Sequence, residues 1–583
     1  MKLEAVYHRT SDNYCYPLNE EDLIINIKTG QDIEKVFIYY GDPFENGILG
    51  GNWKWEGIEE ELIYMKNLSR HIWWTTTVKP KYKRCKYYFK LVKGEECIYY
   101  FEDGFYSRED MNHLGKSLVY FTFPWMNPVD INTTPDWVNQ TVWYQIFPER
   151  FCNGDIENDP EGTKPWAYQA VTKDEYYGGD LKGILNRLDY LKEIGINGIY
   201  LTPIFEAGTN HKYDTKDYLK IDPHFGDEKI LKELVDTAHK KGIRIMLDGV
   251  FNHCGKEFGP WKDVLEHGPR SKYYNWFMIN QWPFNKEDHN TKEGSFYSFA
   301  FTSRMPKLNT NHPEVRKYFL DVVKYWIEFF DIDGLRLDVA NEVSHRFCKE
   351  LRILTKALKP DFYLLGEIWH DAMPWLLGDE FDAVMNYPLA TSIADYWIYP
   401  EKTNDDFACG INRNFTMYMQ QTNNVLFNLL DSHDTNRLID KVGDIDVFYQ
   451  QLSLLFTMPG SPCIYYGTEI AMEGSFDPDC RRCMPWEKID AGVYNGNIAV
   501  IKELISLRKA NNTFRSIHFH FKKEEYNHRV IHFIKTDDEG KQVEVILNCS
   551  DEEIILKPEG NALFCLLKED TILKPKGVYI QNI

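Results

Sequence analysis

Residues 313–338 read PEVRKYFLDVVKYWIEFFDIDGLRLD, and the change of period inside this stretch decides the fold. From Pro313 to Phe330 apolar residues recur every three or four positions, one face of a helix, and proline suits a first helical turn. Gly334-Leu335-Arg336-Leu337 then reads as a short buried strand that ends on a charge, Asp338. Helix, strand, acid is the unit to look for elsewhere.

It recurs. Ile184, Leu188, Leu191 and Ile194 sit at helical spacing, with Asp180 to cap the start and Gly195 to stop the helix, before the strand Ile196–Leu201. A helix around Asp227–Lys241 stops at Gly242 and gives way to Ile243–Leu247; helix His345–Leu358 precedes Phe362–Leu365. Val142–Phe147 comes first, and Ala383–Met385, Val425–Leu430 and Cys463–Tyr466 follow, about eight strands in all. Nearly continuous apolar strands are buried on both faces, which implies a parallel sheet. A doubly wound open sheet is the alternative, but eight units over so long a stretch favour a closed (β/α)8 barrel.

The flanks have a different rhythm. Leu23–Ile27, Val36–Tyr40, Tyr87–Val92 and Ile98–Phe101 are short, rich in β-branched and aromatic residues, and many are separated by turn formers, the pattern of a β-sandwich. The last residues return to short alternating strands. The expected organisation is multidomain α/β: an N-terminal β-sandwich over 1–127, a TIM barrel over 128–252 and 309–509, a small inserted domain over 253–308, and a C-terminal β-sandwich over 510–583. The insert is long, aromatic and poor in helical periodicity.

Composition narrows the function. A formal charge of −21 repels phosphate backbones and anionic lipid, which argues against nucleic-acid and membrane partners. The N-terminus lacks the apolar core of a signal peptide, and no apolar run reaches spanning length. Twelve scattered cysteines, with only Cys480 and Cys483 close together, read as free thiols of a cytoplasmic protein. Aromatic residues make up 15% of the chain, and flat apolar rings suit the faces of sugars.

In a β/α barrel the active site lies at the C-terminal ends of the strands. Those ends read Leu247-Asp248-Gly249-Val250-Phe251-Asn252-His253, Leu337-Asp338, Gly366-Glu367-Ile368-Trp369-His370 and Leu430-Asp431-Ser432-His433-Asp434. One such acid is an ordinary helix cap, but four strand endings in register are not. His-x-His and His-x-x-x-His ligand spacings are absent from these ends, which disfavours a metal hydrolase. Glycoside hydrolysis instead needs two carboxyl groups, one of them protonated. Asp338 and Glu367 end adjacent strands. Arg336, on the same strand face as Asp338, is expected to keep it ionised, and Glu367, beside Trp369, is expected to hold the proton.

The segments DGVFNH, GLRLDVANE, GEIW and DSHDTNR resemble the four barrel motifs of the α-amylase family of glycoside hydrolases. By that resemblance Asp338 is the nucleophile, Glu367 the acid/base and Asp434 the carboxylate that stabilises the transition state. It further implies that Asp248 and Arg336 support the nucleophile, and that His253, His433, Tyr213 and Asp214 bind the sugar ring. MPKLN (Met305–Asn309), Asn341-Glu342 and the opening WYQIFPERF are similar to the cyclomaltodextrinase, neopullulanase and maltogenic amylase group. In that group the N-terminal domain covers the partner's active site in a homodimer, so small or bent α-glucans such as cyclodextrins, maltooligosaccharides and pullulan are the implied substrates. Phe299, Trp369 and Tyr387 match aromatic positions near the cut, and Asp477 and Arg481 match a pair contacting more distant glucose units. A transglycosylase, or an α-amylase acting on long starch, remains the alternative.

Asn153, Asp155, Asn158 and Asp159, followed by Gly178 and Asp180, present hard oxygen ligands that also read as hydrophilic turns. The resemblance implies one structural Ca²⁺ there. Trp53, Trp55, Trp73 and Trp74 are expected in a core or a dimer contact rather than in a separate starch site.

Overall fold

The computed structural model describes residues 1–46, 55, 57–114, 118–286, 289–522, 526 and 529–583; Trp53 lies outside them. Residues 134–375, 379–390 and 424–583 form one compact unit, and residues 1–133, 376–378 and 391–423 another.

The first unit is built on eight parallel strands: β1 Trp143–Ile146, β2 Gly198–Leu201, β3 Arg244–Gly249, β4 Gly334–Leu337, β5 Tyr363–Gly366, β6 Ala383–Val384, β7 Phe427–Asn428 and β8 Ser461–Tyr465. They pair in the order β6-β5-β4-β3-β2-β1-β8-β7, and a parallel bridge from Met385 to Phe427 closes the ring. Almost every strand residue is buried, as a sheet covered on both faces requires. The helices follow their sequence signals. Asp227 accepts from Lys229 N and Ile230 N at the start of Glu228–Lys240, whose Leu231, Leu234, Val235 and Ala238 pack inward. Helix Pro313–Tyr325 runs on into a π-helical turn, Trp326–Phe330, and stops at Asp331, which adopts φ 62°.

Two differences bear on the site. The seventh strand is two residues long rather than Val425–Leu430, so the chain beyond Asn428 reaches the barrel mouth as a loop. The insert contains a nine-residue helix, Gly259–His267, where no helical period is evident, because Gly259 and Pro260 occupy its first turn and read as breakers. The rest of the insert is held by isolated bridges, among them His253 to Lys307 and Phe277 to Leu308. Six antiparallel strands at the C-terminus join in one sheet, with the long strand Ile572–Asn582 pairing three of the others.

The second unit carries a four-stranded and a six-stranded antiparallel sheet. Leu23, Ile25 and Ile27 of one and Val36, Ile38, Phe89 and Leu91 of the other share a core. Residues 391–423, which the sequence reading leaves in the barrel segment, gather with these sheets: Asn412 Nδ2 donates to Asn67 O at 3.0 Å and Gln421 Nε2 to Pro17 O at 2.9 Å. Trp55, Trp73 and Trp74 are buried, the core alternative expected of them. Among the described residues no helix is long and apolar enough to cross a membrane. All twelve cysteines are free thiols.

Candidate active site

Strand register assembles the site. Asp248 on β3 pairs with Arg336 on β4, and Leu337 pairs with Gly366 on β5. The next residues along the two strands are Asp338 and Glu367, so both carboxyl groups leave neighbouring strand ends at the same level. Adjacent strands lie about 4.8 Å apart. Two carboxyl groups on neighbouring strand ends, bridged by one guanidinium, are close enough to act as a retaining pair.

One buried guanidinium serves all of them. Arg336 Nη1 donates to both oxygens of Asp248, at 2.9 and 2.8 Å, and to Asp338 Oδ1 at 3.0 Å. Its Nη2 lies 2.8 Å from Glu367 Oε2. Asp248 also accepts from Tyr200 Oη on β2 at 2.6 Å and from Tyr213 Oη at 3.1 Å. Glu367 accepts from Val339 N and from Trp369 Nε1, each at 3.0 Å. Val339 adopts φ 46°, left-handed for a β-branched residue, and this turns its N–H onto the acid.

These groups open into a cavity of about 540 Å³, of the size that encloses a ligand. Of the candidate residues, Tyr213, His253, Phe299, Asp338, Asn341, Glu367, Trp369, Asp434, Asp477 and Arg481 line it. Asp434 is held by Arg481 Nη2 at 3.3 Å and faces His433 Nε2 at 3.1 Å. Arg481 Nη1 also pairs with Asp477 at 2.9 Å. His253 stacks on Phe299, centroids 4.8 Å apart, and among the described residues its buried Nε2 has no partner. Trp369 and Tyr387 stack at 3.6 Å, leaving half of the tryptophan exposed as a platform.

Burial dominates the electrostatics. It lowers His253 and His211 to about 3 and takes His433 well below its ordinary value, so these rings are neutral hydrogen-bonding groups. It raises Asp434 against the pull of Arg481. It also raises Asp338 well above the usual carboxylate range, with Arg336 opposing and Glu367, Asp248 and Asp434 adding to the rise. Arg336, expected to keep Asp338 ionised, pulls it down but, shared with Asp248 and Glu367, does not cancel the rise that burial gives Asp338. Trp369 meets Glu367 through its indole N–H rather than as an apolar wall.

Residues 145–533 match the family described as alpha amylase, catalytic domain. The chain belongs to the α-amylase family. In this family member, residues 1–127 match the alpha amylase N-terminal ig-like domain. It is 47% identical to a cyclomaltodextrinase of Geobacillus thermopakistaniensis, over 95% of this chain and 92% of that one. It is 46% identical to a maltogenic alpha-amylase of Bacillus acidopullulyticus, over 87% and 85%. A solved cyclomaltodextrinase, 39% identical, superposes with a TM-score of 0.89 over 100% of this chain and 98% of its own. The chain is a glycoside hydrolase, as its strand-end acids predict, and the retaining mechanism is general for its family.

Not every candidate of this α-amylase family chain faces the cavity. Asp248, Arg336, His433 and Tyr387 stand behind its wall. Asp214 turns away to accept from Thr209 Oγ1 and from Gly208 N at 3.2 Å. Glu342 is exposed and pairs with Lys307 Nζ at 2.8 Å. Conversely, Lys173, His211 and Met305 line the cavity without having been singled out for it. Their loops carry no strand-end signal. Tyr200 was detectable, as a polar tip inside an otherwise apolar strand.

The expected calcium loop divides in two. Asp180 is spent on hydrogen bonds, accepting from Gly154 N at 3.1 Å, Asp155 N at 2.8 Å, Asn158 Nδ2 at 3.2 Å and Gly183 N at 2.6 Å. Asp155, exposed, accepts from Glu157 N. Asn153 Oδ1 and Asn158 Oδ1 are buried acceptors without a donor among the described residues. Gly178, at φ +80°, leaves space beside them: a Cβ there would stand 2.1 Å from Asp159 Oδ1 and 2.4 Å from Asn153 Nδ2. Orphaned amide oxygens beside a carboxylate fit a hard cation. Among the described residues no three His, Cys, Asp or Glu side chains form a metal cluster, so the fit rests on the two amide oxygens and the carboxylate of Asp159.

Proposed function

We propose that the protein cleaves α-1,4-glucosidic bonds in cyclodextrins, maltooligosaccharides and pullulan through a glycosyl ester on Asp338. The observation that carries this is the shared register of Asp338 and Glu367 at the ends of β4 and β5, bridged by Arg336. Asp338 attacks the anomeric carbon; Glu367 protonates the leaving oxygen and then takes a proton from the incoming water. Burial raises Asp338, Asp248 and Asp434 against the pull of the arginines, and Arg336 ties Asp338 to Glu367, which delivers the proton to the leaving oxygen. Asp434 binds hydroxyls of the distorted ring and stabilises the transition state. The neutral His253, with Tyr213, hydrogen-bonds the same ring, and His433 supports Asp434 and Tyr213 from behind the wall. Initial rates on β-cyclodextrin, pullulan and soluble starch at equal mass concentration test the substrate class: the two bent substrates are expected to lead. A preference for starch overturns that class and leaves the catalytic roles standing.

The reading includes a structural Ca²⁺ held by Asn153, Asn158 and Asp159, and a cytoplasmic homodimer formed through the N-terminal domain. Ile58, Ile63 and Met65 of this domain are exposed apolar side chains that such an interface would cover. One preparation tests both: metal analysis is expected to find about one calcium per chain, and sedimentation at micromolar concentration a dimer. Calcium-free protein, or monomer alone, rejects the respective part.

A further inference from the structure

Gln145 is fully buried on β1, with Tyr200 of β2 and Tyr465 of β8 as its register partners. Its Nε2 lies 2.7 Å from His433 Nδ1. Nothing in the catalytic reading uses it, yet it touches the histidine that faces both Asp434 and Tyr213. His433 Nε2 is 2.6 Å from Tyr213 Oη and 3.1 Å from Asp434 Oδ2. Tyr213 Oη continues to Asp248 Oδ2 at 3.1 Å.

These contacts admit one consistent direction of donation. If the Gln145 amide donates to Nδ1, His433 carries its proton on Nε2, where a carboxylate and a phenol oxygen await it. The Tyr213 hydroxyl is then free to donate to Asp248. If the amide is reversed, Nδ1 holds the proton and the Nε2 lone pair faces the Asp434 carboxylate. Tyr213 must then spend its proton on His433, and Asp248 loses a donor. The first arrangement leaves one buried Gln145 acceptor, Oε1, without a donor among the described residues; the second brings two acceptors face to face, the His433 Nε2 lone pair and the Asp434 carboxylate, at 3.1 Å, which costs more.

We propose that Gln145 is a positioning residue that holds His433 as the Nε2–H tautomer and thereby fixes the direction of a hydrogen-bond chain serving Asp434 and Asp248. The charged groups around the ring are Arg481, Arg336, Glu367 and Asp434, and burial keeps the imidazole neutral among them. Its tautomer, not its charge, is therefore what Gln145 sets. This rests on the assignment of Asp338 and Glu367, but fails separately from it.

Gln145→Met keeps length and removes the donor. It is expected to lower kcat about 10- to 100-fold, as the loss of an outer partner does for a metal-bound histidine, with a smaller change in KM. Gln145→Glu supplies a donor only while the introduced carboxyl is protonated. Its kcat relative to wild type is expected to fall as pH rises through the titration of that carboxyl, whereas the ratio for Gln145→Met stays level. Nitrogen NMR of ¹⁵N-histidine-labelled wild-type protein, with the signal assigned by its loss in His433→Asn, is expected to show Nε2–H. A Gln145→Met kcat within about twofold of wild type, a pH-independent ratio for folded Gln145→Glu, or an Nδ1–H tautomer overturns the proposal. If Asp338→Asn remains inactive in the same assay, only the role of Gln145 has failed.

Discussion

Asp338→Asn and Glu367→Gln each lower kcat on a maltooligosaccharide by about four orders of magnitude or more, and they fail at different steps. Asparagine keeps the volume of Asp338 and an acceptor for Arg336 Nη1, 3.0 Å away, but an amide oxygen cannot carry the glycosyl ester. Both half-reactions are lost, and a better leaving group does not restore them. Glu367→Gln retains the nucleophile. With α-maltosyl fluoride as substrate the departing fluoride needs no proton, so the ester on Asp338 forms and then waits, because no base remains to activate water. A burst of fluoride equal to the enzyme concentration is expected from Glu367→Gln and none from Asp338→Asn. Azide, which needs no base, should release the waiting sugar as the α-azide, since two inversions retain configuration. A burst from Asp338→Asn, or a β-azide from Glu367→Gln, would reverse the assignment. Far-UV circular dichroism and the denaturation midpoint of both variants should match wild type closely enough to place the loss in chemistry.

These residues could be found in the sequence because a barrel turns strand order into position. An apolar run that ends on Asp338, next to one that ends on Glu367, is a statement about space once the strands are known to be adjacent. Asp434 is different. Its strand contributes only Phe427 and Asn428, and five residues of loop separate it from them. What places it is Arg481, from a segment 47 residues further on, which no local pattern shows. Asp214 and Glu342 show the same limit from the other side: their neighbourhood in sequence is right, but Thr209 and Lys307 draw their side chains elsewhere. The electrostatic expectation was incomplete for a third reason. Sequence spacing put Arg336 beside Asp338 but could not show that Asp248 and Glu367 share it, nor how dry the group is. The amide of Gln145 in WYQIFPERF is a single polar residue in an apolar strand, and its meaning depends on His433, nearly three hundred residues away.

Arg336→Met tests that shared cation. It removes the charge that faces Asp248, Asp338 and Glu367 and puts an apolar chain of similar length in its place, at a position with no solvent exposure. Breaking a buried ion pair from one side costs about 3–5 kcal/mol, and the sign of its pH dependence follows from the carboxyls left behind. Asp248 and Asp338 are already raised by burial, with Arg336 opposing; without it both rise further. A carboxyl whose folded value lies above its unfolded value, about 3.9, binds its proton more tightly in the native state. Stability therefore falls as pH climbs from the unfolded value through the folded one, and then levels. The gap in unfolding free energy between Arg336→Met and wild type should be small near pH 4 and widen toward neutrality, as urea titrations at pH 4.5, 6 and 8 would show. Activity should mirror it. The acid limb of kcat/KM moves to higher pH, because Asp338 must ionise to attack, and the loss relative to wild type is greatest on the acidic side. A variant equally destabilised at every pH, with an unmoved acid limb, would mean that Arg336 acts by packing rather than by charge.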